Sequence, residues 1–463
     1  MTAVESRITI IGLGPGNPAL RTVGAQQVLD AADRIILRTR IHPGLDDLAI
    51  DPRVIDCDDL YESAANFDVL YSAIAHRVLD AAQSGGVVVF AVPGHPRVGE
   101  RAVSQIEAGA RELGIPTDVK DAVSFLDVTA GAIAMDPVAR GLQVVDAEEV
   151  AQIIAGDPFA SGQLSIDPVR PLLVAQLYNR DLASAVKIGL SRVYPDDYLV
   201  TIVRAAGIPG EQAVQELPLH ALDRQDVDYL TSLWVPPLAP LEAVRSSESL
   251  TRIVARLRAP GGCPWDREQT PGSLRNAVLE EAYEVVDAID SEDHGGLAEE
   301  LGDLLLLVAM QAQIAEENGA FRIEDVFEEV NRKLIRRHPH VFGSVSATTP
   351  EAVIATWEGV KERERADKGG PTANLHPMDR LPRAMPVTRK ISEILAPRTM
   401  LTAPQDPDAG NESLAAIRAL VERGFDPELA LEASLRRSID KAMGIEGGSP
   451  SDGIETERGR ESA

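Results

Sequence analysis

Two short acidic stretches, Glu280-Glu281-Ala282-Tyr283-Glu284 and Glu300-Leu301-Gly302-Asp303, decide how the second half of this chain folds. Residues three apart share one face of a helix, so Glu281 projects with Glu284, and Glu300 with Asp303. Between them, Asp290-Ser291-Glu292-Asp293-His294-Gly295-Gly296 is rich in residues that end one helix and cap the next. The spacing predicts two antiparallel helices that bring four carboxylates together. Asp303 directly precedes the apolar run Leu304-Leu305-Leu306-Leu307-Val308-Ala309-Met310, which reads as core. A carboxylate beside such a run needs a cation or a full set of donors. Hard oxygen ligands of this kind suit Mg²⁺ or Mn²⁺ rather than zinc or copper. In a chain with 72 Asp plus Glu, acidic pairs also arise as solvated surface. The second pair, with its apolar run, tips the reading toward a metal site.

The flanking segments read like the rest of a nucleotide site. Upstream, Leu257-Arg258-Ala259-Pro260-Gly261-Gly262-Cys263-Pro264-Trp265-Asp266 is a turn-rich loop leading into the first acidic helix. Downstream, Lys333, Arg336 and Arg337 lie within about one helical turn, just before Pro339. Cations there complement a helix C-terminus, and they also suit a clamp on triphosphate oxygens. Trp357 and Lys361 stand four apart in a charged helix, where the Trp is either a packing anchor or a stacking surface for a base.

Taken in this order, Gly262-Cys263-Pro264-Trp265-Asp266, the two acidic stretches and the segment 333–342 make residues 250–365 resemble the MazG-type nucleoside triphosphate pyrophosphohydrolases, an all-α, magnesium-dependent superfamily. The resemblance implies metal ligands at Glu281, Glu284, Glu300 and Asp303. It implies nucleotide contacts at Lys333, Arg336, Arg337, Trp357 and Lys361, and the reaction NTP plus water giving NMP plus pyrophosphate. Glu280, beside the ligands, is placed as a base or a support for them. It also implies a homodimer formed through the helical domain, since short helical copies bury little surface alone.

The first half alternates strands and helices. Residues 8–12, 34–37, 87–92, 172–175 and 198–203 read as strands and 19–32 as a helix, a rhythm that predicts an α/β domain with a largely parallel sheet. Pro236-Pro237 and Pro240 mark a linker, after which the pattern is helical. The loop Gly12-Leu13-Gly14-Pro15-Gly16-Asn17 follows the first strand. Asn17 stands where a dinucleotide fingerprint needs its last glycine, and strand two ends at Leu37-Arg38 with no acid for a ribose, so an NAD site is not expected.

That loop, Val92-Pro93-Gly94-His95-Pro96, Ser124-Phe125-Leu126-Asp127 and Val200-Thr201-Ile202-Val203-Arg204-Ala205-Ala206-Gly207 make residues 5–237 resemble the tetrapyrrole (corrin/porphyrin) methylases. The resemblance implies S-adenosylmethionine held near Gly12, Gly14, Pro15, Gly16, Gly94, His95, Pro96 and Ser124. The whole chain is similar to bifunctional proteins that fuse such a domain to MazG, and Arg38-Thr39-Arg40-Ile41-His42-Pro43 and 231–237 strengthen that match. His95 stands where classical members carry Asp, which changes the charge of the loop near the cofactor.

The expected organisation is therefore multidomain: a tetrapyrrole-methylase-like α/β domain at 1–237 and an all-α MazG-type domain at 238–370. A degenerate second helical copy follows at 371–446, and a disordered tail at 447–463. The degenerate copy is inferred from Leu381-Pro382-Arg383-Ala384-Met385-Pro386 and an amphipathic 427–436, without acidic helices between. The leading function is NTP pyrophosphohydrolysis. The alternatives are S-adenosylmethionine-dependent methyl transfer with an accessory helical domain, or a nucleotide-sensing module whose acids are surface charge.

Net charge of −27 and 4% aromatic content argue against broad nucleic-acid binding and against anionic membranes. Two distant cysteines, no signal-peptide core and no apolar run of membrane length point to a cytoplasmic protein.

Overall fold

The computed structural model describes residues 6–156 and 164–367, with scattered positions between 415 and 437. The inferred degenerate copy and tail, apart from those positions, lie outside the described residues. The chain divides into two compact units, Met1–Arg267 and Glu268–Ala463. No described helix is long and apolar enough to cross a membrane.

In the first unit, β1 (Arg7–Gly12), β2 (Arg34–Leu37), β3 (Val54–Asp56), β4 (Val87–Val92) and β5 (Thr117–Val119) form a sheet in the order β3-β2-β4-β1-β5. Every pairing in it is parallel. Successive side chains of a strand face opposite sides. Ile8, Ile10, Val88 and Phe90 enter one core, against the helix Phe67–Gln83, while Ile11, Ile35, Leu37 and Val89 enter the other. Both faces are covered, so β4 and, after their leading arginines, β2 and β1 read as apolar runs, broken in β1 only by the buried Thr9.

A second sheet contains β6 (Gln143–Asp146), β7 (Leu172–Ala175), β8 (Leu199–Arg204), β9 (Ala213–Pro218) and β10 (Thr231–Val235), in the order β6-β7-β10-β8-β9. Only β6 and β7 run parallel. The α/β class thus holds, and the expected parallel sheet is the first of two. The second is mostly antiparallel because β8 and β9 form a hairpin through a turn with Gly207 and Gly210 at positive φ, and β10 returns between β7 and β8. The helix expected at 19–32 is shorter, Val23–Asp30, because Thr22 caps it and a 3-10 turn at Pro18–Leu20 precedes it.

The second unit is helical. The first acidic helix, Arg275–Asp290, and the second, His294–Glu317, pack along each other. Asp293 caps the second by accepting from the backbone N–H groups of Gly295 and Gly296, at 3.1 and 3.0 Å. Helices Ile323–Arg337 and Pro350–Asp367 follow. Among the described residues the apolar run is only partly covered. Leu307 and Met310 are buried, whereas Leu301, Leu305 and Val308 are 49, 52 and 41% exposed. A helical run apolar on nearly every side, yet covered on one, lacks a neighbour among the described residues.

Candidate functional site

Glu281 and Glu284 on the first acidic helix, with Glu300 on the second, form a compact carboxylate group. One oxygen from each lies within 4.8 Å of the others. Burial, then repulsion from Glu284 and Asp303, pushes the Glu281 carboxyl above its ordinary range. Glu300 is raised in the same way, with Glu284 again the leading charge. Like charges this close disfavour one another's ionised form unless a cation joins them. The donor set is oxygen only, which fits a hard divalent ion.

Asp303 lies outside the three-oxygen group, although its charge reaches both Glu281 and Glu300. It is exposed, so the desolvation cost that its apolar neighbours implied is not incurred. Glu280 is likewise exposed and outside the group.

The basic residues lie on the helices Ile323–Arg337 and Pro350–Asp367. Arg336 donates to Glu364 Oε1 at 2.5 Å, and Arg337 donates to both Glu364 oxygens, at 2.6 Å from Nη2 to Oε2. The Arg337 guanidinium also lies over the Trp357 ring, 5.6 Å from its centroid, a cation–π arrangement. Lys333 is exposed one turn earlier on the same helix. Lys361 belongs to the Pro350–Asp367 helix, but its side chain lies outside the described residues. The sequence reading missed Glu364. Its spacing of seven from Trp357, two helical turns, was the available signal.

In the first unit the motif loops converge. The loops after β1 and β4 bridge each other, with Gly94 N donating to Gly14 O at 2.8 Å and Gly14 N to Gly94 O at 3.3 Å. Asn17 Nδ2 donates to Gly207 O at 3.0 Å, joining the hairpin turn to the same place. Gly12, Gly14, Pro15 and Gly16 are all buried, as is Pro96. A Cβ at Gly12 would lie 2.1 Å from the Gly94 carbonyl oxygen and 2.5 Å from Ala122 Cβ, whereas one at Gly94 would meet nothing within 4 Å. Backbone approach to a cofactor is therefore open at Gly94 and closed at Gly12. His95 Nδ1 accepts from Arg97 N at 3.0 Å, which holds the ring as part of the turn. Ser124 caps the helix Phe125–Ala132, its hydroxyl donating to Asp127 at 2.8 Å.

Gly12→Ala is expected to cost about 1–3 kcal/mol by overpacking. The loss should appear as a lower urea midpoint for the first unit, with the helical unit unchanged.

The family model described as MazG nucleotide pyrophosphohydrolase domain matches residues 269–342, and that for Tetrapyrrole (Corrin/Porphyrin) Methylases matches 7–223. YabN of Bacillus subtilis is 37% identical over 84% of this chain and 77% of its own length. A nucleoside triphosphate pyrophosphohydrolase/pyrophosphatase MazG of Thermotoga maritima is 44% identical over 32% of this chain, and the match spans 55% of that protein. Uroporphyrin-III-C-methyltransferase of Thermus thermophilus superposes over 50% of this chain and 94% of its own, at 21% identity and a TM-score of 0.39.

Proposed function

Because the chain belongs to the family of Bacillus subtilis YabN, with a tetrapyrrole methylase segment preceding a MazG segment, we propose that its helical unit hydrolyses nucleoside triphosphates to monophosphate and pyrophosphate. The observation that carries this reading is the Glu281–Glu284–Glu300 group, three carboxylates held together on two helices. A Mg²⁺ or Mn²⁺ ion held by Glu281, Glu284 and Glu300, with Asp303 adding charge, would neutralise phosphate oxygens and acidify water. Glu280, exposed on the same helix, is available to take the proton from the attacking water. Arg336, Arg337 and Lys333 would meet the phosphates through forked and point-charge donors. Trp357 would offer its face to the base.

The test is release of pyrophosphate and monophosphate from a panel of NTPs and dNTPs, with Mg²⁺ and with EDTA. Metal-dependent release supports the assignment. No release from any nucleotide would overturn it and leave the methylase segment as the functional part.

The partly covered second acidic helix, with Leu301, Leu305 and Val308 exposed, supports a homodimer through the helical unit. Light scattering is expected to give twice the chain mass, falling to one chain mass in Leu305→Arg. Both cysteines are free thiols, in keeping with a reducing cytoplasm.

A second reading, S-adenosylmethionine binding, has one specific observation in favour: the open backbone at Gly94, where the motif loops meet. Gly94 and His95 would then contact the cofactor, while Gly12, Gly16 and Ser124 serve packing and capping. Calorimetric binding weakened by a bulky residue at Gly94 would support it.

A further inference from the structure

The first sheet reverses its winding between β1 and β4. The helix after β1, Val23–Asp30, packs into one core through Ala25 and Leu29. The helix after β4, Ala102–Glu112, packs into the other through Val103 and Ile106. Open α/β sheets hold ligands at such a place, outside the carboxyl ends of neighbouring strands whose connections leave for opposite faces. Here those ends carry the Gly14 and Gly94 loops, which bridge each other.

A side chain from a third loop reaches this bridge. His42, in the stretch after β2, sets Nε2 3.1 Å from the Gly14 carbonyl oxygen. The same oxygen accepts from Gly94 N at 2.8 Å. We propose that His42 is a positioning residue for adenosylmethionine, donating to Gly14 and so fixing the paired loops beside the open Gly94 backbone. The proposal rests on the reading that adenosylmethionine binds at that backbone.

The imidazole projects from an anchored segment. Arg38 pairs with Glu100 at 2.7 Å and Arg40 with Asp56 at 2.6 Å. Arg40 Nη1 also donates to Ala49 O at 2.9 Å, and its backbone N–H to Asp58 at 2.9 Å. His42 N in turn donates to Arg40 O at 2.9 Å. The segment runs close against the β1 loop, since a Cβ on Gly44 would lie 2.7 Å from Gly16 O. Burial holds the half-buried imidazole below its ordinary value, against the Gly14 bond, which raises it, and Arg38 lowers it further. A neutral ring facing a carbonyl oxygen carries its proton on the nitrogen that faces it, here Nε2. Such a donor holds the loop without adding charge to a site for a cationic sulfonium.

The test is calorimetric titration of adenosylmethionine into the full chain. His42→Phe keeps the bulk of the ring without its donor, and is expected to weaken binding about tenfold. His42→Ala, which introduces no clash, should weaken it as much and guards against a folding defect in the first variant. His42→Gln, whose amide donates from the place of Nε2, should stay within about threefold of wild type. Unchanged affinity in both His42→Phe and His42→Ala, or a loss in His42→Gln equal to theirs, would overturn the positioning role alone. No saturable heat from wild type would overturn the adenosylmethionine reading itself, and this proposal with it.

Discussion

Glu284→Gln is expected to lower metal-dependent pyrophosphate release by about a thousandfold at neutral pH, several kcal/mol of lost charge stabilisation. Among the carboxylates, Glu284 is the one that most raises both Glu281 and Glu300. It therefore sits at the electrostatic centre of the group, and its loss removes both a ligand and the charge that favours a cation. The same change should not harm the metal-free fold. A Glu whose folded-state pKa is raised destabilises the folded state above that raised value. The penalty disappears as pH falls toward the ordinary value of 4.5. Metal-free wild type should thus become more stable between neutral pH and that value, while Mg²⁺ binding weakens over the same interval. Removing Glu284 relieves part of the repulsion, so the metal-free melting temperature of Glu284→Gln should equal or exceed that of wild type. Mg²⁺ should raise the wild-type melting temperature and leave the variant's nearly unchanged. A variant that keeps its full rate, or gains the full metal shift, would show that the group is not the metal site.

The parts of this molecule that were legible in the sequence are those where one local pattern settles the outcome. β2, β4 and β7 coincide with the segments read as strands, because each is a compact apolar run buried on both sides. β3, β5, β6, β9 and β10 escaped that reading. The first four are short or polar strands at the sheet edges, and Thr117-Asp118-Val119 has no alternation to detect. β10 is central and buried, but Thr231-Ser232 open it with two polar residues. The carboxylate group was legible because helical spacing places Glu281 beside Glu284 before any tertiary contact forms. Spacing put Asp303 on the face of Glu300, and its charge reaches both Glu281 and Glu300, but spacing alone does not fix how near its oxygens come to the Glu281–Glu284–Glu300 group. Arg38 with Glu100, and Arg337 with Glu364, depend on long-range packing that no local pattern encodes.

Arg337→Ala is expected to lower kcat/KM for nucleoside triphosphates about a hundredfold, within the range of a lost charged contact to phosphate. Arg337→Lys should restore little of it. Lysine keeps the charge but loses the planar fork that meets both Glu364 oxygens and lies over Trp357. Glu364 gives the opposite sign. Arg337, then Arg336, pull its carboxyl down to about 2. Its contribution to stability is therefore present above the ordinary value of 4.5 and lost only as pH falls through about 2. At working pH Glu364 is charged and satisfies the two guanidinium groups that a triphosphate would need. Substrate must compete with it. Glu364→Gln is accordingly expected to lower KM a few-fold, and to lower kcat if the released arginines lose their alignment. The ion pair is near the surface, with 15% of the Glu364 side chain exposed, so added salt should narrow the difference between wild type and variant. A higher KM in Glu364→Gln would mean that the carboxylate aligns the arginines for substrate rather than competing with it.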